Sequence, residues 1–189
     1  LAPYGRKNEN CSIRSLERYL EEHPEFFVQL ISKLYKRDDG IEDENEAVNT
    51  QLVKSYWYTL EALSHIPGED NSGKINTDKL EGWVKQVISL AENNGRRNIA
   101  EYYIGKLLGH CQNGEDGIWP CEEIRDLVEE MHSKKMIEGM YIEKKNSRGV
   151  TSRSLGDGGT QEWEIVEQYQ EWDSQLALTH SFVADELLG

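Results

Sequence analysis

The sequence predicts an all-α fold, either an irregular helical bundle or a short HEAT-like α-solenoid of about seven to eight helices. Three observations predict it. Apolar residues recur every three or four positions along most of the chain, which is the period of one helix face. Sustained two-residue alternation, the mark of a half-buried strand, is absent; residues 141–150 alternate briefly and fit a helix end equally well. Clusters of Pro, Gly, Asn and Asp separate the periodic segments and supply the chemistry that stops and starts helices.

Residues 1–11 read as a poorly ordered polar lead-in, and 12–189 as a single helical domain cut from a longer protein. Ser12 is the expected N-cap of a first helix carrying Ile13, Leu16, Tyr19 and Leu20. His23-Pro24 ends it and opens a second, since proline suits a first helical turn. That second helix carries Phe26, Phe27, Leu30, Ile31 and Leu34, and stops at Arg37-Asp38-Asp39-Gly40. The longest clean pattern spans 45–66, with Asn45 as its cap, Val48, Leu52, Tyr56, Leu60 and Leu63 as its stripe, and Val53 and Trp57 widening it. Pro67-Gly68 ends it.

Thr77 is the expected cap of a helix bearing Leu80, Trp83, Val84, Val87 and Ala91, which Asn93-Asn94-Gly95 terminates. Ile99, Tyr103, Leu107 and Leu108 mark the next, up to Cys111. Pro120 stands where a first helical residue belongs, and Glu122-Glu123 suits the positive end of the helix dipole. Ile124, Leu127, Val128 and Met131 follow, and Met136 and Met140 continue the pattern past a kink. After a glycine-rich stretch, Thr160 caps a helix carrying Trp163, Val166, Tyr169, Trp172 and Leu176. Thr179 or Ser181 opens a short last helix through Phe182, Val183 and Leu187. Gly68-Glu69-Asp70 and Gly114-Glu115-Asp116 echo one another at an offset of about 46 residues, within the range of helical repeats.

The chain of 189 residues carries a net charge of −14. That acidity argues against nucleic-acid binding, which needs a local surplus of Lys and Arg to neutralise phosphates. Five tryptophans and nine tyrosines argue for a folded protein. No apolar run reaches the roughly 20 residues a membrane-spanning helix needs. Cys11, Cys111 and Cys121 form no CxxC pair, which reads as reduced thiols in a cytoplasmic protein.

Neither Gly-Glu-Asp loop fits a calcium-binding EF-hand. Placing Gly73 at position six puts Gly68 at one and Lys79 at twelve, and placing Gly117 there puts Gln112 at one. Asp70, Glu115 and Asp116 therefore read as turn formers and cap acceptors. His110, Cys111, Cys121 and His132 lack the paired ligand spacing of a zinc site, so buried cysteines with surface histidines is the preferred reading. No nucleophile elbow or cysteine-enzyme signature is present. No catalytic residue, metal or cofactor is expected.

The sharpest candidate is 146–161, with four glycines and two arginines. Arg148 and Arg153 can grip an anion bidentately, Gly158 and Gly159 permit close backbone approach, and Thr160 opens a helix N-terminus. Neither the P-loop pattern nor GxGxxG is present. The competing reading, and the favoured one, is a structural connector whose arginines pair with neighbouring carboxylates.

The run Asn146-x-Arg148-Gly149-Val150-Thr151-Ser152-Arg153, with Gly158-Gly159-x-Gln161-Glu162, Tyr169 and Trp172, resembles the C-terminal helical region of large uncharacterised bacterial multidomain proteins. Pro24-Glu25-Phe26-Phe27, Ile66-Pro67-Gly68, Trp83-Val84, Gly95-Arg96, Ile104-Gly105 and Asp116-Gly117-x-Trp119-Pro120 extend the resemblance over most of the chain from Phe26 onward. It implies a helical part of a multidomain intracellular protein whose activity lies elsewhere, and it brings no catalytic residues. The expected function is a scaffold or protein-interaction domain whose partner is another domain of the parent or a separate protein. The alternative is an anion- or nucleotide-responsive domain using 146–161.

Overall fold

In the structure, a computed structural model, the backbone is described over residues 6–41, 49–147 and 160–188, with side chains from 14 in the first helix and from 163 in the last long one. The fold is all-α. Among the described residues the helices are α1 (Arg6–Glu22), α2 (Pro24–Leu34), α3 (Thr50–Glu61), α4 (Thr77–Asn93), α5 (Arg97–Leu108), α6 (Glu122–Met131), α7 (Lys134–Ser147) and α8 (Thr160–Leu176). A three-residue α9 (Ser181–Val183) then runs into a π-helical turn, Ala184–Leu188. Residues 141–147 are the end of α7 rather than a strand, and β pairing among the described residues is one isolated bridge, Glu69 to Ile75. The chain divides into two compact units, Leu1–Glu101 and Tyr102–Gly189, and the division falls inside α5.

In the first unit α2 packs against α1, α3 and α4. Pro24 starts it at the first turn, and its periodic face buries Phe27, Val28, Leu30 and Ile31. The Phe27 ring meets Trp83 of α4 edge-on at 5.1 Å between centroids, the geometry aromatic quadrupoles favour. Trp83 Nε1 donates to the Leu20 carbonyl at 2.9 Å, so the buried indole keeps its polar atom satisfied while it holds the end of α1. The predicted stripe of α4 is buried throughout. Its cap is Asn76, one residue before Thr77, with Oδ1 accepting from the Lys79 N–H at 3.0 Å. Gly95, at φ 64, closes the helix as foreseen. There the Arg96 N–H reaches back to the Ala91 carbonyl at 2.8 Å, a turn that needs a left-handed residue.

Two helices differ from their expected bounds. α1 begins at Arg6, six residues before Ser12. α3 is shorter than predicted: Asn49 caps it, accepting from the Gln51 and Leu52 N–H groups at 3.1 and 3.3 Å, whereas Asn45 lies outside the described residues. It ends at Glu61 because carboxylates of α1 take the N–H groups that a longer helix would use. Glu17 Oε1 accepts from the Ser64 and His65 N–H groups at 2.9 and 3.0 Å, and Glu21 Oε1 from Gly68 N–H at 3.0 Å. Leu63 and Ile66 are still buried, but from a segment outside any helix. Of the predicted stripe Leu60 and Leu63 are buried, Val53 and Tyr56 half-buried, and Leu52 and Trp57 exposed, as is the neighbouring Tyr58.

In the second unit α5 and α7 cross on glycine. A Cβ at Gly105 would overlap the Met136 carbonyl oxygen, and one at Gly139 would overlap that of Tyr102. The backbones thus approach more closely than any side chain allows, and Met136 and Met140 fill the adjoining core completely. The kink expected after Met131 is a full break. His132 sits at φ 47, its N–H bonded to the Val128 carbonyl at 3.0 Å, with its ring stacked on Phe182 at 4.7 Å. Pro120 is not the first residue of α6: Cys121 is the N-cap, Glu122 leads, and the Trp119–Pro120 peptide is cis. The Glu129 carboxylate accepts from the Phe182 and Val183 N–H groups at 3.0 and 3.2 Å, holding the start of α9.

Candidate functional site

Of the predicted anion site, Arg148, Arg153, Gly158 and Gly159 lie outside the described residues. Thr160 is the first residue of α8, and its side chain also lies outside them. Asp70 is spent within its own turn, its Oδ1 accepting from the Ser72 N–H, the Ser72 hydroxyl and the Lys74 N–H at 2.8, 2.6 and 3.1 Å. Asp116 is likewise engaged, by the Ile118 N–H at 2.9 Å and by the buried Arg125 guanidinium at 2.6 Å. Desolvation pushes its carboxyl upward, but these donors prevail and hold it below its ordinary value. Both aspartates are the turn formers the sequence implies.

The two histidines weighed with the cysteines stand apart from each other in role. His132 stacks on Phe182, and His110 Nε2 lies 3.5 Å from Glu143 Oε1. Among the described residues no three His, Cys, Asp or Glu side chains are grouped to hold a metal ion. Cys111 and Cys121 are both buried free thiols, as the residue types suggest.

A surface candidate lies on α8. Its C-terminal half is fixed: Trp172 and Leu176 are buried, and the helix packs against α9 and the π-helical turn. Toward the N-terminus Ile165 and Tyr169 continue that face half-buried, while Trp163 and Val166 lie round the helix from it, 67% and 42% exposed. Glu164, Glu167 and Glu171 are exposed on the same helix, which contains no Lys or Arg from end to end. Burial of an indole is worth several kcal/mol at most sites. An exposed Trp and Val three positions apart, flanked on one side by carboxylates, therefore form an apolar contact with an acidic edge. The sequence stripe of Trp163, Val166, Tyr169 and Trp172 repeats every three residues and so drifts round a helix of 3.6 residues per turn, which is why its two ends meet different surroundings.

A second cluster gathers where α5 ends and α6 begins. The Cys111 N–H closes the last turn of α5 onto the Leu108 carbonyl at 3.1 Å, and the intervening loop folds back through Gly114 N–H to the Ile118 carbonyl at 2.9 Å. Beyond that return stands Cys121, the N-cap of α6, near enough to perturb the Cys111 thiol. Lys144 Nζ of α7 lies 4.5 Å from the Trp119 ring centroid and adds positive charge beside the pair. Trp119 Nε1 is buried without a properly formed hydrogen bond, and the pull of its N–H on Cys111 is the weakest of these influences. Cys121 leads in lowering the Cys111 thiol below its ordinary value, burial opposes that shift, and the Cys121 thiol is pushed up by Cys111 and by its own burial. Sequence analysis set the two cysteines side by side only as metal ligands, because no motif marks the loop between them.

No known protein family, characterised protein or solved structure matches the chain. Among the described residues no helix is long and apolar enough to cross a membrane.

Proposed function

We propose that the chain is a helical scaffold that docks a protein partner, working as one part of a larger bacterial intracellular protein. The observation that carries this reading is the N-terminal half of α8, where Trp163 and Val166 stand exposed among carboxylates on a helix without a single basic residue. The complementary surface is an apolar cleft rimmed by Lys and Arg, presented by another domain of the parent or by a separate protein. A second copy of this chain is a poor match for the same face, because it would set one row of glutamates against another. The resemblance to C-terminal helical regions of bacterial multidomain proteins supports the setting, and the reduced thiols fit a cytoplasmic one.

The test is in-cell cross-linking of the intact protein, followed by titration of the purified partner against the wild type and Trp163→Ala. Truncating a central Trp of an interface costs about 2 kcal/mol or more, near a thirty-fold loss of affinity. Binding should also weaken as salt rises, since the rim is electrostatic. Equal affinity of wild type and variant would exclude α8 as the docking face. The anion-responsive alternative draws its support from the arginine and glycine content of 146–161, and ligand-induced stabilisation tests it as described below.

A further inference from the structure

We infer that the outward face of α3 is a self-association surface on which a second copy of this chain docks antiparallel. Trp57 and Tyr58 of both copies meet at its centre, and Lys54 of each copy faces Glu61 of the other.

The face follows from helix periodicity. α3 packs on α2 and turns Leu60 inward, with Val53 and Tyr56 half-buried beside it. Lys54, Trp57, Tyr58 and Glu61 stand at positions i, i+3, i+4 and i+7, so they share another side of the same helix, and all four are exposed. Trp57 is 43% and Tyr58 64% exposed, and their rings meet edge-on at 5.1 Å between centroids. Tyr and Trp are the side chains that interface centres favour, and this spacing is the one by which a helix presents anchors to a partner.

Charge names the occupant. From Thr50 to Glu61 the charged residues are Lys54 and Glu61 alone, one of each sign, three positions before Trp57 and three after Tyr58. In an antiparallel pair with its two-fold axis level with the midpoint of Trp57 and Tyr58, Lys54 of each copy stands level with Glu61 of the other. The contact is then self-complementary, as an isologous interface must be. A parallel pair would set lysine against lysine and glutamate against glutamate. In a chain of net charge −14, a face whose charges cancel is where two copies approach with least repulsion. α8, with carboxylates and no base, lacks this complement. The 12 residues of α3 span about 18 Å, so the contact falls short of the roughly 1,200 Å² of stable complexes and the dimer is weak and reversible.

The test is sedimentation velocity of the full chain from about 5 µM to about 500 µM in about 150 mM salt, where half-association is expected on the order of 10–100 µM. Trp57→Ala should weaken association about thirty-fold or more. Tyr58→Ala serves the same purpose should Trp57→Ala melt early. Lys54→Glu and Glu61→Lys should each weaken it about tenfold, since like charges then face across both contacts. An equimolar mixture of these two variants should regain association as a heterodimer, and so should the chain carrying both changes. The inference is overturned if the wild type stays monomeric at the highest concentration, which is also the result expected if a different protein covers α3. A dimer that both alanine variants leave unchanged overturns it too, because another face then makes the contact. So does a mixture of the two charge variants that associates no better than either alone.

Discussion

At the scale of single residues, the fold rests on side chains that satisfy polar groups from another segment. Glu17 is the clearest case: it is buried, and its carboxylate takes two backbone N–H groups and the Ser64 hydroxyl. Glu17→Ala should cost about 1–3 kcal/mol in urea unfolding, because those N–H groups are left without a partner. Asp39 makes a prediction in pH. The Arg37 guanidinium donates to it at 2.9 Å, and the Ile41 N–H at 3.0 Å, holding its carboxyl down at about 2. A carboxyl lowered in the folded state contributes stability above its unfolded value and loses it as pH falls through the folded one. An NMR titration should find Asp39 ionised down to about 2 in the wild type, and Arg37→Ala should move the midpoint up toward 3.8. An unchanged midpoint would show that Arg37 is not the cause. None of these pairings was legible in sequence, since an acidic chain offers too many carboxylates for any one to be singled out.

At the scale of elements, sequence and structure agree at the second helix's start and the fourth's end, where the decision is local, though not at Ser12, Thr77 or Pro120. The second helix starts at Pro24 and α4 ends before Gly95, because φ preferences act within a turn. Disagreement appears where a distant segment competes. α3 stops at Glu61 although apolar spacing continues to Ile66, for α1 supplies better partners to the following N–H groups. In α8 the expected stripe drifts round the helix instead, so Trp172 is buried while Trp163 and Val166 are exposed. The caps, Asn49 and Asn76, are testable directly. Asn76→Ala should destabilise by about 0.5–2 kcal/mol, and Asn76→Asp should recover most of it. If alanine were tolerated without loss, the Lys79 N–H must find another acceptor.

At the scale of the whole molecule, a net charge of −14 means self-repulsion in the compact state. Raising ionic strength from about 10 mM to about 150 mM should therefore raise the melting temperature, as the screening length shortens toward 8 Å. A fall would mean that specific ion pairs outweigh the net repulsion. The anion-binding alternative belongs to this scale too, because ligation of the native state is read as global stabilisation. If 146–161 holds a phosphate, a nucleotide screen should raise the melting temperature of the wild type but not of the Arg148→Ala, Arg153→Ala double variant. If the stretch is a connector, no nucleotide shifts the wild type and the double variant melts lower.

The glycine crossing of α5 and α7 has an evolutionary consequence. Gly105 and Gly139 each face a backbone carbonyl at a separation that admits no methyl group. Alanine at either position should cost about 1–3 kcal/mol through overpacking. A saturation library selected for folding should accordingly return glycine almost alone at these two sites, while the exposed faces drift freely. As related chains diverge, surface identity erodes first and a pair of glycines 34 positions apart persists. Such a pair, set between a Tyr-rich helix and a Met-rich one, is the mark by which distant descendants of this fold would remain recognisable.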